Sequence, residues 1–451
     1  MPSAFFTGLS GLRSHQGAVQ VVANNVANLN SVAFKGSRAD FRDLFYQNIG
    51  LSRSGVASQI GLGVSPITVS RRFEQGTIQS TAGLLDAAIQ GEGFFVVSDG
   101  GVLQFTRSGN FQLNSNQELV TINGEIVQGW NRDPASGAVN SSLPIADINL
   151  QGNDRIEPRE TTTLRISANL ATGSTLAFAR PVQVFDSLGA SHIVTLVFNP
   201  VVPPRAGFSS SFDVTATLPT QDLIDAGGNP PASVPNIAVN AGAPPIGFPI
   251  DFDASGDLVN PAPGTPYQIV LDMAQANDST TPGAVNALPV TFANGAADLV
   301  VTWDLLNLQL QPTISSVAAS SSITDILQDG RPSAELTSIS VADGGRISGL
   351  FSDGRTLVLA QLALQRFTNP QSLLAVGNNN YIPTAASSVS SPGEPDSGGL
   401  GSVIGLSLEF SNVDISQEFT DLLTFQRGFQ ANSRVITTAD QLNQEALNLI
   451  R

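Results

Sequence analysis

Apolar residues recur at seven-residue intervals near both ends of the chain, while the chain between them has the pattern of strands and loops. Near the N-terminus this register is occupied by Phe5, Leu12, Val19 and Val26, with Leu9 and Ala23 in the companion position. Near the C-terminus one register is shared by Ile415, Leu422, Phe429, Ile436 and Ile450, and Phe419 and Leu447 take the companion position. Such stripes are typical of helices that wrap around another helix. The pattern therefore predicts two terminal helices, within 5–30 and 412–451, whose stripes pair with each other.

The ends of both predicted helices carry residues that favour caps. The first helix is predicted from about Ser3 to Leu29, with Asn24, Asn25 and Asn28 on its last turns. Because asparagine favours caps and turns over helix interiors, residue type alone favours helix-end caps, and contacts with neighbouring subunits are the alternative. Asp414, followed three residues later by glutamine, predicts a capping box at the start of the last helix.

Short alternating segments separated by turn residues lie between the helices. In residues 76–150 the sequence predicts strands over 93–97, 104–113 and 119–122, with hairpin turns at Asp99-Gly100 and Asn123-Gly124. Residues 325–400 show the same pattern of short alternating segments separated by turn residues. The block between these two regions is rich in proline pairs such as Pro203-Pro204, which exclude long helices and predict a sandwich or barrel with long loops.

The predicted fold class is mixed and mainly β, with a terminal α-helical coiled-coil pair enclosing nested β-rich domains. Residues 1–30 with 412–451 form the helical core domain, and 31–75 with 400–411 form a connecting segment. Residues 76–155 with 322–399 form an inner β domain, and 156–321 form an inserted outer β domain of one or two subdomains. This organisation suits a subunit that polymerises through its termini.

Composition narrows the possible functions. Charged residues make up 13% of the 451 positions, against roughly 25% in a typical protein, and the net charge is −16 with a single lysine, Lys35. Nucleic-acid binding is not expected because it needs a basic face. The absence of cysteine excludes disulfides and thiolate metal sites. No apolar run is long enough to span a membrane, and the N-terminus lacks the features of a cleaved secretory signal.

No constellation of residues predicts catalysis, a cofactor or a metal. The two histidines, His15 and His192, lie in different predicted domains and lack the neighbours of a metal site or a catalytic triad. The Asp-Gly pairs match turns rather than calcium loops. The short Gly-x-Gly motifs lack the spacing and the following helix of phosphate loops. We therefore expect neither an enzyme nor a cofactor-binding protein.

Three parts of the chain carry motifs that resemble one protein family. The N-terminal motifs are 10–12 (SGL), 23–28 (ANNVAN) and 34–38 (FKGSR), and the C-terminal motifs are 426–433 (QRGFQANS) and 437–441 (TTADQ). The β-region motifs are 76–78 (GTI), 91–97 (GEGFFVV) and 105–111 (FTRSGNF). Together they resemble bacterial flagellar hook proteins, within the wider group of axial rod and hook proteins. The signature positions are Asn24, Asn25, Asn28, Phe34, Lys35, Gln426, Arg427 and Asn432.

Two further features favour a hook protein over a rod protein, and two positions depart from the family pattern. Residues 184–192 (VFDSLGASH) resemble the segment that opens the outer domain of hook proteins. The insertion is also larger than rod proteins usually carry. Ala33 stands where many relatives have glycine, so the turn there is expected to differ, and Gly428 stands where relatives often have alanine.

The resemblance implies a structural subunit that self-assembles into a curved, flexible tube, a universal joint that passes motor torque to the filament. The apolar heptad residues of both terminal helices, from Phe5 to Ile450, would mediate self-assembly. Implied partners are copies of the chain itself, the rod, hook-cap and hook–filament junction proteins, and the type III export apparatus. The location implied is the extracellular flagellum. The alternatives are a distal rod protein with a large insertion and a monomeric surface adhesin or carbohydrate-binding β protein.

Overall fold

The computed structural model describes residues 2–51, 57–133, 136–224, 236–239, 248–260, 268–277, 291–297, 299–305, 311–388 and 390–449. Ile450, one of the predicted assembly residues, lies outside the described residues, and so does the side chain of Leu447. The chain forms two compact units. Unit 1 comprises Met1–Asp154 and Leu336–Arg451, and unit 2 comprises Arg155–Glu335.

Two long helices and many short strands make up the described chain, which confirms the predicted mainly β class with a terminal helix pair. The helices are α1 (Pro2–Ala27) and α2 (Ile415–Leu449). The strands before unit 2 are β1 (Ser37–Asp40), β2 (Tyr46–Leu51), β3 (Ala57–Gly61), β4 (Thr68–Arg71), β5 (Ile78–Ser80), β6 (Ala87–Gln90), β7 (Phe94–Asp99), β8 (Val102–Thr106), β9 (Phe111–Leu113), β10 (Leu119–Thr121), β11 (Ile126–Asn131) and β12 (Ala146–Asp147).

The strands of unit 2 are β13 (Arg155–Ile156), β14 (Thr163–Asn169), β15 (Phe178–Phe185), β16 (Ser191–Pro200), β17 (Ser210–Thr217), β18 (Leu223–Ile224), β19 (Asn236–Val239), β20 (Phe248–Phe252), β21 (Leu258–Asn260), β22 (Gln268–Asn277), β23 (Thr291–Phe292), β24 (Val300–Asp304), β25 (Ile314–Ser315) and β26 (Ser322–Gln328). The remaining strands are β27 (Ala334–Ala342), β28 (Arg346–Phe351), β29 (Thr356–Leu362), β30 (Leu364–Gln365), β31 (Leu374–Gly377), β32 (Asn380–Ile382), β33 (Ser402–Gly405) and β34 (Ser407–Glu409). Short 3₁₀ turns occur at Thr220–Asp222 and Pro370–Ser372.

The helices pair in antiparallel orientation, and small residues of α1 make the closest approach. A β-carbon added at Gly8 would lie 3.1 Å from Cγ1 of Ile436, and one added at Gly11 would overlap the side chain of Asn432. A β-carbon at Gly428 of α2 would overlap the ring of His15. Glycines on both helices therefore leave room for a larger residue of the partner helix, which brings the two backbones close together.

The face that α1 turns towards its neighbours differs from the predicted stripe. The buried residues of α1 are Gly8, Gly11, Ser14, Ala18, Val22 and Asn25. The predicted residues of α1, namely Phe5, Leu9, Leu12, Val19 and Val26, are half-buried or exposed. On α2, Leu422, Phe429 and Ile436 are half-buried, whereas Ile415 and Phe419 are exposed. The heptad spacing was correct. However, α1 packs closely through its heptad-spaced small residues rather than through the larger apolar residues that were predicted.

Capping residues lie at the C-terminal end of α1 and at the N-terminal end of α2. The Oδ1 atom of Asp414 accepts hydrogen bonds from the amides of Ser416 (2.7 Å) and Gln417 (3.0 Å), as an N-cap does. The reciprocal half of the predicted capping box is absent because the Gln417 side chain instead donates to Asp421. At the end of α1, Nδ2 of Asn28 donates to the carbonyl of Asn24 (2.9 Å), so this pair caps the helix as residue type favoured.

In unit 1 the predicted strands 93–97 and 119–122 correspond to β7 and β10. The strand predicted over 104–113 is instead divided into β8, which ends at Thr106, and β9, which begins at Phe111. The largest sheet of unit 1 has the strand order β27-β28-β29-β11-β7-β8-β32-β31. The β7–β8 hairpin closes through Gly100 and Gly101, whose φ angles of 56° and 87° fit the predicted tight turn. At the other predicted turn only Gly124 has a positive φ. An aromatic cluster fills the core of this sheet, formed with apolar neighbours by Phe94, Phe105, Trp130, Phe367 and Tyr381.

Two predicted boundaries need correction. The segment 31–75, predicted as part of a connecting segment, contains four strands, of which β1 pairs with β4 and β2 with β3. The segment 400–411, expected to be a connector, supplies β33 and β34, which pair with β6 and β5. Residues 322–328, assigned to the inner domain, form β26, which pairs with β14 of unit 2. The insertion therefore ends at Glu335 rather than at 321, because strand pairing, which local sequence does not show, holds β26 there.

Unit 2 is built around an 11-stranded sheet with the order β15-β16-β17-β19-β22-β24-β14-β25, with β20, β21 and β26 paired beside this path. Alternate residues of β14 and β16 point into one apolar core, centred on Trp303, Phe198 and Phe252. The described part of unit 2 contains no α-helix, as the proline-rich sequence predicted. Parallel pairing of β14 with β24 and β25 was not predicted.

Candidate functional site

Polar side chains that are buried or half-buried cluster in unit 1 where α1 ends and α2 begins. We call this set the polar junction; it consists of Asn25, Lys35, Arg72, Arg107, Glu409, Asn412 and Glu418. The chain leaves α1, turns back through Ala33 in a left-handed conformation (φ 57°) and delivers Lys35 into the interior. Ala33 donates its amide to the carbonyl of Glu409 (2.8 Å). The position where relatives often carry glycine therefore does require a conformation that glycine adopts more easily.

Glu409 is the centre of the junction. Its Oε1 atom accepts hydrogen bonds from Nζ of Lys35 (2.7 Å) and from the amide of Gly76 (2.8 Å). Its Oε2 atom lies 3.4 Å from a guanidinium nitrogen of Arg107. The side chain of Glu409 is 0% exposed and that of Lys35 is 1% exposed. One fully buried carboxylate thus pairs with two buried cations from segments that are distant in sequence.

In this cluster, burial changes the pKa values of the cations more than ion pairing does. Burial lowers the pKa of Lys35, and the carboxylate of Glu409 opposes that change. Burial likewise lowers the pKa of Arg107, again against the effect of Glu409. Removing a buried charge from water is costly unless a partner compensates it. Lys35 also donates to the carbonyl of Glu74 (2.8 Å), and Arg107 to the carbonyl of Gly91 (2.7 Å).

Glu418 forms a second centre, one turn into α2. Its Oε1 atom accepts a bond from Arg72 (2.7 Å), and its Oε2 atom accepts one from Nδ2 of Asn25 (3.1 Å). Asn25 also exchanges two hydrogen bonds with the backbone of Ser37, at 2.7 and 2.9 Å. Asn25 and Glu418 are 1% and 2% exposed. These contacts tie both helices to the β1–β4 pair.

Asn412 completes the junction just before α2. Its Oδ1 atom accepts from the amide of Gly36 (2.8 Å), and its Nδ2 atom donates to the carbonyls of Arg72 (2.9 Å) and Glu74 (3.0 Å). The ionised groups of the junction are paired with one another, and all of them except the partly exposed Arg72 are buried. The arrangement holds together segments that are distant in sequence.

The signature positions lie in several different parts of unit 1. Asn25 and Lys35 belong to the polar junction, whereas Asn24 and Asn28 cap the end of α1. Phe34 is half-buried beside them. Gln426 and Arg427 are exposed on α2. Asn432 faces Gly11 of α1 and donates to the carbonyl of Gly428 in its own helix (2.8 Å).

Sequence reasoning missed Glu409, Glu418, Arg72 and Asn412, and it included Arg107 only as part of a motif. A usable signal was the single lysine of a chain with few charges. A lone lysine in a glycine-containing motif next to a helix end needs a carboxylate if it is buried. Nothing local indicates which of the 37 acidic residues supplies it.

The two histidines lie in different surroundings. His15 packs against Phe41 and Phe425, with ring centroids 5.1 and 6.2 Å apart, and burial lowers its pKa. His192 lies on β16, with its ring nitrogens 3.0 Å from Asp186 and 3.1 Å from Asp222. No group of three or more potential metal-ligating side chains occurs within the residues that the structure describes.

Three carboxylates of unit 2, those of Asp186, Asp251 and Asp329, have lowered pKa values, and Asp329 is the clearest case. Burial acts to raise the pKa of Asp329, but hydrogen bonds from Thr162 and Thr163 outweigh it and lower the pKa to about 2. The Oδ1 atom accepts from both amides, at 2.8 and 2.9 Å, and the Oδ2 atom accepts from the Thr162 hydroxyl (2.6 Å). These bonds fasten the end of β26 to the start of β14.

Asp329 should make unit 2 sensitive to acid. Because its folded pKa lies below the ordinary value of 3.8, its stabilisation is complete above that pH and is lost as the pH falls towards 2. We expect Asp329→Asn to reduce this loss, measured as acid unfolding followed by Trp303 fluorescence in a Trp130→Phe background. The exposed Asp325→Asn on the same strand pair is the control. An acid transition that is identical in all three chains would contradict the assignment.

The comparisons with known proteins identify the class of this chain. Three family models match it: "Flagellar hook protein FlgE/F/G D1 domain" over residues 88–169, "Flagellar basal body protein FlaE D2 domain" over 149–331 and "Flagellar basal body rod FlgEFG protein C-terminal" over 406–449. The chain is thus one of the structural proteins of the flagellar hook and rod. The second and third matches cover the insertion and α2.

Full-length relatives narrow this class. The chain is 31% identical to the flagellar hook protein FlgE of Borreliella burgdorferi and 30% identical to that of Treponema pallidum, each over 100% of both chains. It is 29% identical to FlgE of Escherichia coli, over 99% of this chain and 100% of the relative. The chain therefore belongs to the flagellar hook protein family.

Neither helix, over its described length, is long and apolar enough to cross a membrane.

Proposed function

We propose that this chain self-assembles through its terminal helices into the curved, flexible tube of the flagellar hook and transmits torque from motor to filament. One observation carries the proposal: the paired helices leave large apolar side chains in solvent. Phe6 is 62% exposed, Phe419 53%, Leu423 54% and Leu442 47%. Exposed apolar surface of this extent on a helix pair marks an interaction surface. Burial between subunits removes it from water.

The predicted assembly residues fit this role in two ways. Phe5, Ile415 and Phe419 are exposed and available to a neighbouring subunit. Leu9, Leu12, Val19, Val26, Leu422, Phe429 and Ile436 are half-buried, so each has surface left for a second contact. We propose that these residues line the inner part of the tube. We further propose that unit 2 lies on its outside.

The tube must bend while it rotates, so some contacts between subunits must slide. We propose that the β regions make weak, mainly polar contacts that shift as the tube bends, while the helices form a fixed inner wall. The low charge content supports this, because few ion pairs need to break. Large, dry outer contacts that stay unchanged around a curved polymer would contradict it.

The remaining parts of the proposal follow from the family. The chain acts as a structural protein without enzymatic activity or a cofactor. Its partners are other copies of itself, the rod, hook-cap and hook–filament junction proteins, and the type III export apparatus that delivers it without a cleaved signal. Its place is the extracellular part of the flagellum.

Electron microscopy of negatively stained protein in polymerising salt tests the proposal. We expect short curved tubes from the full chain and none from Phe419→Ser/Leu423→Ser, because these changes remove exposed apolar surface from α2. The control Gln426→Ser/Gln430→Ser changes exposed polar positions of the same helix and should still form tubes. Straight tubes would favour the distal rod protein. A folded monomer that binds glycans and never polymerises would favour the adhesin.

A further inference from the structure

The two terminal helices face each other in one register. Gly8 lies against Ile436, Gly11 against Asn432 and His15 against Gly428. At the other end of the pair, Asn25 donates to Glu418. The numbers of the facing residues rise along α1 as they fall along α2, so the register is the same over about 18 residues of α1, close to five helical turns.

Heptad spacing alone does not select this register. A seven-residue repeat presents an equivalent apolar surface after a slip of one heptad, and a single polar residue in the contact is a common device for excluding the slipped pairing. Both helices carry apolar residues on more than one face. On α1, for example, the predicted apolar heptad residues do not lie on the face that packs against α2. The heptad-spaced apolar residues therefore do not by themselves exclude the slipped pairings, although each slip also moves His15 away from Gly428.

The buried polar pair penalises those alternatives. A slip of one heptad in one direction would place Asn25 opposite Phe425, and a slip in the other direction would place Glu418 opposite Ala18. Either slip separates Asn25 from Glu418. A buried carboxylate or amide without a partner is strongly disfavoured. Asn432 cannot play this part, because its side chain donates within its own helix.

We propose that Asn25 and Glu418 are positioning residues that set the register of the terminal helix pair. Both are fixed from outside the pair: Asn25 by the backbone of Ser37 and Glu418 by Arg72. Ser37 opens β1, and Arg72 follows β4, its partner strand. The register is therefore set relative to the β1–β4 pair as well as between the helices. This inference deepens the proposed function, since it concerns the helices through which the subunit assembles.

Distances between two spin labels on the full chain test the proposal. The chain has no cysteine, so Gln20→Cys and Gln441→Cys, both at exposed positions, accept labels without background. A slip of one heptad moves one helix by about 10 Å along the other, at a rise of 1.5 Å per residue. Labelled chain diluted in unlabelled chain is measured as monomer and, separately, as polymer.

We expect a single distance in the parent chain and a second one, about 10 Å shorter or longer, in Glu418→Leu with the helical signal retained. Asp421→Leu makes the same charge change one turn further along α2 and should keep the single distance. An unchanged distance in Glu418→Leu, or a second distance in both variants, would overturn the proposal. Loss of the helical signal in Glu418→Leu would also overturn it, because that result marks a stabilising contact rather than a selective one.

A second variant moves the carboxylate instead of removing it. In Glu418→Leu/Phe425→Glu the acid lies one heptad further along α2, so pairing with Asn25 requires a slip that shortens the label distance by about 10 Å. Persistence of the parent distance would contradict a register role. A chain that forms no tubes would refute the proposed function, yet its label distances would still report the register.

Discussion

Replacing Glu409 by glutamine is expected to lower the free energy of unfolding of unit 1 by about 3–5 kcal/mol, the usual cost of removing one partner from a buried ion pair. Glutamine keeps the shape of the side chain but removes the charge that balances Lys35 and Arg107. Both cations are buried, with side-chain exposures of 1% and 6%. Neither can reach water without moving the segment that carries it.

Urea unfolding followed by tryptophan fluorescence measures this effect. Each unit contains one of the two tryptophans, so Trp130 reports on unit 1 in a Trp303→Phe background. Trp130 is buried in the aromatic cluster and donates to the carbonyl of Leu143 (2.7 Å).

Glu92→Gln is the matched control for this measurement. Glu92 also pairs with an arginine, Arg366, but that pair is exposed, at 66% and 45%. We expect the control to change stability by less than about 1 kcal/mol. If both variants lost the same small amount, the buried cluster would not be a main source of stability for unit 1.

Replacing Gly11 by leucine is expected to prevent the terminal helices from pairing and to abolish tube formation. Even a β-carbon at this position would overlap the side chain of Asn432, and a whole leucine must push α2 away. Overpacking a tight contact commonly costs about 1–3 kcal/mol, and more where the backbone cannot adjust. A lone amphipathic helix is marginal in water, so an unpaired α1 should lose part of its helical structure.

Circular dichroism and negative-stain microscopy of the full chain check this expectation. Gln16→Leu introduces the same side chain at an exposed position of α1 and should retain both helices and tubes. Gly11→Ala combined with Asn432→Ala should retain pairing, because the smaller residue at 432 gives the new methyl group its space. Tubes of normal abundance from Gly11→Leu would show that the close approach at Gly11 is not required for assembly.

The polar junction shows where sequence-based prediction stops. Lys35 and Asn25 stood out as family signature residues, but their partners did not. Lys35 and Glu409 are separated by 374 positions and Asn25 and Glu418 by 393. No local pattern connects residues so far apart, and a carboxylate in an alternating strand such as β34 has the sequence pattern of an exposed one. Only the folded chain shows that Glu409 is buried.

The predicted helix contact shows a different limit. Periodicity gave the correct spacing and the correct pair of helices. It did not give the face, because the larger residues of α1, such as Phe5 and Leu12, dominate any hydrophobic pattern. The structure instead packs Gly8 and Gly11 against α2. A glycine contributes little to a hydrophobic pattern but allows the closest backbone approach.

The sequence by itself determined the types of element and their order: terminal helices with their caps, short strands with tight turns, and an insertion without long helices. These features depend on side-chain periodicity and on the backbone preferences of a few consecutive residues. The tertiary structure decided which face of α1 is buried, where the insertion ends, and which charges meet in the polar junction. Those outcomes depend on burial and on pairing between distant segments, which are properties of the folded chain as a whole.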